Sequence, residues 1–146
     1  MTSRPYRLLL VEDDVVTQPE LIRIFEIAGF VVETAVTGLQ ASRLLREQRY
    51  DAVVLDNMIP PGGESGSGWS FEETEGGLHT GLKILREMKS LPKPPPVWVV
   101  TALPDTDVES EERNLPFVVG YFTKPTSLWE VANQILSHLG GSHGEV

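Results

Sequence analysis

Five short apolar runs recur along the chain, alternating with stretches of helical spacing. They are Arg7 to Val11 (RLLLV), Phe30 to Val36 (FVVETAV), Tyr50 to Asp56 (YDAVVLD), Pro96 to Thr101 (PVWVVT) and Phe117 to Phe122 (FVVGYF). Continuous apolar runs of this length suit strands buried on both faces, the pattern of a parallel sheet rather than of half-exposed hairpins. Alternation with helices implies βαβ units with right-handed crossovers, hence an α/β fold whose sheet is covered on both sides. At 146 residues the chain suits one such domain and can bury a core without staples or metal.

The helical stretches carry their own punctuation. Thr17 and Glu20 stand at capping-box spacing, Pro19 suits a first turn, and Leu21, Ile24, Phe25 and Ala28 share a face before Gly29. Thr37 and Gln40 repeat the spacing ahead of Ala41, Leu44 and Leu45, as do Ser127 and Glu130 around a helix running to Gly140 and Gly141. Leu82, Leu85 and Met88 mark a further helix that the LPKPPP run ends. The stretch Leu103 to Asn114 has Val108 as its only interior apolar residue, so a helix there is expected to be short or mobile. From 57 to 80 the pattern dissolves into a long Gly-, Ser-, Pro- and Glu-rich loop with Trp69 and Phe71 as its large apolar side chains. Loops this long are usually functional or disordered, and aromatics in an acidic loop are either docked or offered to a partner. The domain is expected to span 5–140, followed by a disordered tail at 141–146.

The formal charge is −9, and the segments Asn57 to Thr80 and Leu103 to Asn114 each carry a net −4. Such a surface repels nucleic acid phosphates and anionic lipid, so no direct nucleic acid or membrane binding is expected. There is no cysteine, which excludes disulfides, thiolate metal sites and cysteine nucleophiles. No run is apolar enough to span a bilayer and no leader pattern opens the chain, so a cytoplasmic location is expected.

In open parallel sheets, ligands bind beyond the carboxyl ends of the strands, where strand order reverses. If the order is 2-1-3-4-5, that edge collects Glu12 and Asp13 after the first strand, Asp56 after the third, Thr101 after the fourth and Lys124 after the fifth. Taken singly each has an ordinary explanation: a polar strand stop, solvated loop acids, a lone hydroxyl, a Lys-Pro before a helix. Taken together, three carboxylates need a cation, because two charges 4 Å apart repel by roughly 4 kcal/mol at an effective dielectric near 20. An all-oxygen site completed by water suits Mg²⁺. Asp56 would then be free to attack phosphorus, with the Thr101 hydroxyl and the Lys124 ammonium meeting the phosphoryl oxygens.

These residues carry a resemblance. The pieces LLLVEDD, VVLD with the following NMIP, VVTA and GYFTKP resemble the receiver domain of bacterial two-component response regulators, over about Arg7 to Leu139. The resemblance implies a flavodoxin-like (CheY-like) five-stranded parallel sheet in the order 2-1-3-4-5 with helices on both faces. It also implies that Asp56 is the phosphoacceptor, and that Glu12, Asp13, Asp56 and the backbone carbonyl of Met58 hold Mg²⁺ or Mn²⁺. Thr101 and Lys124 would read the phosphoryl group, and Tyr121 would stand at an aromatic position whose rotamer reports the switch. Asp14 falls one residue outside this pattern. The expected donor is a sensor histidine kinase or phosphotransfer protein, and the expected output is contact with a downstream protein. The chain would be a stand-alone phosphoacceptor switch, not an enzyme in the usual sense.

Two segments depart from the resemblance: the loop after Asp56 is longer, and the segment after Thr101 is poorer in apolar residues. Both follow strands that end at the same edge, so their acids are expected to form a rim around Asp56 that steers a basic partner. Two alternatives remain open at this stage. One is a pseudo-receiver that binds a partner without phosphorylation. The other is a phosphate-ester hydrolase with an aspartyl intermediate, which the short chain disfavours.

Overall fold

The computed structural model describes residues 4–77, 79–102 and 106–140. Five strands, β1 (Arg7–Val11), β2 (Val31–Ala35), β3 (Ala52–Asp56), β4 (Val97–Thr101) and β5 (Val118–Thr123), form one parallel sheet in the order β2-β1-β3-β4-β5. Between and after them run α1 (Glu20–Ile27), α2 (Gly38–Glu47), α3 (Thr80–Met88), α4 (Thr106–Arg113) and α5 (Leu128–Gly140). This is the flavodoxin-like, CheY-like arrangement expected. Strand order reverses between β1 and β3, which opens a crevice at their C-terminal ends.

Alternate residues of the apolar runs go to opposite faces, so the sheet separates two cores. Leu9, Val11, Val53, Leu55, Val97 and Val99 pack with Ala41 and Leu45 of α2 and with Ile84, Leu85 and Met88 of α3. Leu8, Leu10, Val54, Trp98 and Val100 pack with Phe25 of α1 and with Val131, Ala132 and Ile135 of α5. β3 and β4 are buried at every residue, whereas the edge strands β2 and β5 are partly exposed. That difference explains why the central runs are unbroken hydrocarbon while FVVETAV carries Glu33 and Thr34. Each fully buried Val or Leu contributes about 1.5–3 kcal/mol, and the central strands supply most of them.

Helix starts follow the expected chemistry with one correction. At α2 the Thr37 hydroxyl accepts from Gln40 N–H at 3.1 Å, and the Gln40 side chain reaches back to Val36 N–H at 2.8 Å. Thr17 does not cap α1. Residues Asp13–Val16 form a 3-10 turn, and the Thr17 hydroxyl donates to the Asp14 carbonyl at its end, leaving α1 to begin after Pro19. The same Thr-x-x-Glu spacing is satisfied by a turn that closes as by a helix that opens.

The long loop after β3 is built into the fold. Pro60 and Pro61 carbonyls accept from the Gly38 and Leu39 N–H groups at 2.8 and 2.9 Å, which satisfies donors at the start of α2 that have no partner within the helix. Trp69 is 3 % exposed and belongs to the α2/α3 core. Gly38 lets it in, since a Cβ there would stand 2.6 Å from the Trp69 ring. The Lys83 ammonium lies 4.9 Å from the centre of that ring. The Glu73 carboxylate accepts from three backbone N–H groups, of Gly66, Gly68 and Ser70, at 3.1–3.2 Å. Phe71, by contrast, is 63 % exposed. Of the two loop aromatics, one is docked and one is offered to solvent.

α4 forms from Thr106 to Arg113 with Val108 and Glu112 buried, a short helix as its composition led one to expect. Leu103 to Asp105 and the tail at 141–146 lie outside the described residues. No described helix is long and apolar enough to cross a membrane.

Candidate functional site

The C-terminal edge of the sheet gathers the expected side chains. β1 runs directly into Glu12, and a hydrogen bond from Glu12 N–H to the Ala35 carbonyl at 3.0 Å fixes where β1 gives way to the turn. The Glu12 carboxylate accepts from Asp14 N–H at 3.2 Å, capping the 3-10 turn that carries Asp13. Asp56 ends β3, buried, with Oδ1 accepting from Met58 N–H at 2.9 Å. Oxygen atoms of Glu12, Asp13 and Asp56 lie within 4.8 Å of one another.

Lys124 closes the group. Its backbone N–H donates to the Thr101 carbonyl at 2.7 Å, which positions it just past the end of β5. Its Nζ lies 2.9 Å from Glu12 Oε1 and 3.0 Å from Asp56 Oδ2, so one ammonium bridges two of the three carboxylates. The charges are still out of balance. Burial first, and then the neighbouring Asp56, push the Glu12 carboxyl up to about 7 against the opposing pull of Lys124. Burial alone would lower the Lys124 ammonium, but its bonds to Glu12 and Asp56 outweigh this and raise it.

Lys124→Met removes the cation and keeps the packing of the side-chain stem. The expected loss of stability is about 1–2 kcal/mol at pH 8, discounted for the partial exposure of the lysine. At pH 5 the loss is expected to be smaller, because Glu12 is protonated there and no longer needs a counter-charge. Urea unfolding at the two pH values checks both magnitude and order.

Thr101, at the end of β4, is fully buried, and its Oγ1 has no hydrogen-bond partner. An orphaned hydroxyl inside a sheet edge is costly unless something else occupies its bonding capacity. Tyr121 on β5 is half-buried with Arg113 stacked 4.6 Å from its ring centre, and its hydroxyl is also unpartnered. Met58 is 38 % exposed and contributes its amide to Asp56. The structure thus brings Glu12, Asp13, Asp56 and Lys124 together, with Thr101 at the end of β4 and Tyr121 inside β5, two residues before Thr123, the register partner of Thr101.

The acids expected to form a free rim are mostly paired within the chain. Glu73 is taken up by the loop's own amides, and Glu75 pairs with His79. Glu109 pairs with Arg113, and Arg86 binds Glu111 through two bonds of 2.7 and 2.8 Å. Asp105 lies outside the described residues. Of these partners only Arg86 lies outside the segment it serves, so it offsets one of the four net charges counted from Leu103 to Asn114.

Sequence reasoning missed two residues beside this site. Asn57, 5 % exposed, donates from Nδ2 to Glu112 Oε1 at 3.0 Å, and Glu112 is completely buried. Burial pushes the Glu112 carboxyl up to about 7, although the hydrogen bond from Asn57 pulls it down. The available signal was spacing: Glu112 is four residues past Val108, on the inward face of a helix with no other apolar candidate there. In the folded protein Glu112 keeps its proton to about pH 7, whereas an unfolded chain releases it near 4.5. Folding binds a proton between those values, so stability falls as pH rises through that window, by about 3 kcal/mol for this group. Glu12 acts with the same sign. Glu112→Gln is expected to remove about half of the fall in unfolding free energy between pH 4.5 and pH 8, measured by urea titration.

A family model described as the response regulator receiver domain matches residues 8–68, which include β1, the acids after it, β3 and Asp56. The chain belongs to the receiver domains of response regulators. It is 35 % identical over 130 residues to the probable transcriptional regulatory protein SilR of Salmonella typhimurium, a match covering 88 % of this chain and 49 % of that protein. It is 26 % identical over 133 residues to sporulation initiation phosphotransferase F of Bacillus subtilis (strain 168), covering 91 % of this chain and 93 % of that protein. Among solved structures, the CheY-like response regulator receiver domain protein of Methanospirillum hungatei JF-1 superimposes with a TM-score of 0.73 at 20 % identity, over 97 % of this chain and 99 % of that one. The Francisella response regulator 1452 receiver domain gives 0.71 at 22 %, over 94 % and 98 %. The receiver spans about half the length of SilR and less of several other regulators it matches. Receiver domains of this family act as phosphoacceptor switches in phosphorylation-dependent signalling.

Proposed function

We propose that this receiver takes a phosphoryl group onto Asp56 from a histidine kinase or phosphotransfer protein, in a divalent-cation-dependent reaction, and that the added charge drives a switch read by a protein partner. The observation that carries the reading is the Asp56 carboxylate, buried and bonded to Lys124 Nζ at 3.0 Å within a cluster of three acids. In the transfer an Asp56 oxygen attacks phosphorus, the bond from phosphorus to the donor imidazole breaks, and the imidazole leaves with the electron pair.

The chain's own groups divide the work. Glu12, Asp13 and Asp56, with the Met58 carbonyl, are the hard oxygen donors that would hold Mg²⁺ or Mn²⁺. The upward push on Glu12 marks a cluster that still lacks positive charge. When bound, the ion supplies charge neutralisation and orientation for the phosphoryl oxygens. Lys124, already within reach of Asp56, would exchange its carboxylate bond for a phosphoryl oxygen, and the orphaned Thr101 hydroxyl has a free donor for another. Tyr121, with its unpartnered hydroxyl on the same strand edge, would follow Thr101. The likeness to a Bacillus subtilis protein named as a phosphotransferase supports onward phosphotransfer as one route by which the signal leaves.

Incubation with acetyl phosphate and Mg²⁺, followed by intact-mass and peptide mass spectrometry, tests this. The expected result is one phosphoryl adduct on the peptide containing Asp56, absent when the cation is chelated. No adduct from acetyl phosphate or from any histidine phosphodonor would sink the reading.

A further inference from the structure

Among the described residues, four buried polar side-chain atoms lack a hydrogen-bond partner: Asn57 Oδ1, Thr101 Oγ1, Glu112 Oε2 and Tyr121 Oη. Three of the four belong to one group, formed by the residue after the phosphoacceptor, the buried face of α4, and β5. Glu112 Oε1 accepts from Asn57 Nδ2 at 3.0 Å, and Glu112 lies close enough to Tyr121 for its charge, after burial, to raise the tyrosine hydroxyl.

Polar links fix α4 where apolar burial is scarce. Its buried face consists of Val108 and Glu112, and its second tie is the two-bond pair from Arg86 of α3 to Glu111. Asn57 is held from its other side by Gly81 in the first turn of α3, where any Cβ would collide with the Asn57 side chain. Asn57 also lies between two residues that meet at the site, since Met58 N–H donates to Asp56 Oδ1 at 2.9 Å. Phosphorylation converts one Asp56 oxygen into the bridging oxygen of an acyl phosphate and takes the side chain from one negative charge to about two. The Met58 amide must then readjust, and Asn57 moves with it.

We propose that Asn57 and Glu112 are a positioning pair that ties α4 to the phosphoacceptor loop, so that rearrangement at Asp56 reaches α4 through a directional side-chain hydrogen bond. The pair rests on the phosphoacceptor reading above and adds the route by which that site speaks to α4. A hydrogen bond fails within a few tenths of an ångström or a few tens of degrees, whereas an apolar contact slides, so the bond transmits a displacement that packing would absorb. Glu112, whose carboxyl burial pushes up to about 7, can when protonated also donate through Oε2 to Asn57 or Tyr121 once either rotates, which gives the pair a second bonding arrangement.

The test compares wild type, the double variant Asn57→Leu/Glu112→Leu and the conservative variant Glu112→Gln, each treated with acetyl phosphate and Mg²⁺. Intact mass reports the adduct, and amide hydrogen exchange reports α4. Replacing both partners by apolar residues of similar size leaves no buried group unpaired, so the double variant is expected to fold. In wild type and Glu112→Gln, exchange in α4 is expected to change about fivefold or more on phosphorylation, in the range of ordinary coupling between sites. In the double variant the change is expected to fall below about twofold while the adduct remains. A double variant that takes up phosphoryl and shifts α4 as wild type does overturns the pair. Absence of adduct in wild type overturns the phosphoacceptor reading instead. Should the double variant unfold, the side-chain amide resonances of Asn57 in wild type decide: they are expected to move with those of α4, and if they stay fixed while α4 shifts the pair is overturned.

Discussion

Asp56→Asn is expected to abolish phosphoryl uptake from acetyl phosphate and from any histidine kinase, a loss of at least about 10³-fold of the kind that follows removal of a covalent nucleophile. The amide keeps the shape and an acceptor oxygen for Met58 N–H, but its remaining atom is an NH₂ that cannot form an acyl phosphate. The variant is expected to fold. Asp56 contributes to the upward push on Glu12, so its removal relieves one repulsion while costing the bond to Lys124. Asp13→Asn is the informative companion: it removes a cluster oxygen and leaves the acceptor, so uptake should persist and require more Mg²⁺. An adduct of undiminished yield on Asp56→Asn, mapped to Asp13 or Glu12, would reassign the acceptor.

Trp69→Ala is expected to lower stability by about 3–5 kcal/mol, the usual cost of emptying a large aromatic from a core. A buried Trp removes about 150–250 Å² from water, worth roughly 4–6 kcal/mol before entropy is counted. Against a total stability of about 5–15 kcal/mol for a domain, that is a large share. Here the indole also closes the space above Gly38 and meets the Lys83 ammonium, adding about 0.5–1 kcal/mol. Thermal unfolding should fall by about 10 °C or more. Phe71→Ala, on the same loop but exposed, should change stability by less than about 0.5 kcal/mol. If the two substitutions cost the same, the loop does not belong to the α2/α3 core.

The sheet was readable in the sequence because its cause is local. A central parallel strand needs apolar residues on both faces, and LLLV, AVVL and VWVV have nothing else. Glu12, Asp56, Thr101 and Lys124 were legible for a related reason: the first three stand at the first polar position after such a run and Lys124 at the second, and topology does the gathering. The loop was not legible, because its order comes from one carboxylate, that of Glu73, reaching three amides of residues that look like flexible linker. Composition reports Gly and Ser; it does not report that a nearby acid collects their N–H groups. Glu112 was hidden by the opposite habit, the assumption that a Glu in an acidic helix faces water. Charge counting failed at the same place, since Glu111 finds a basic partner, Arg86, that adding up residues along its segment leaves out.

The division of the interior by the sheet gives the protein a built-in pair of indole reporters. Trp69 lies in the compartment shared with α2 and α3, Trp98 in the one shared with α1 and α5, where it meets the His138 ring edge-on, and Trp129 sits half-exposed on the outer surface. Fluorine-labelled indoles would therefore give separate resonances for the two compartments, and the order in which they respond to a bound phosphoryl group or to denaturant would tell which half of the molecule yields first.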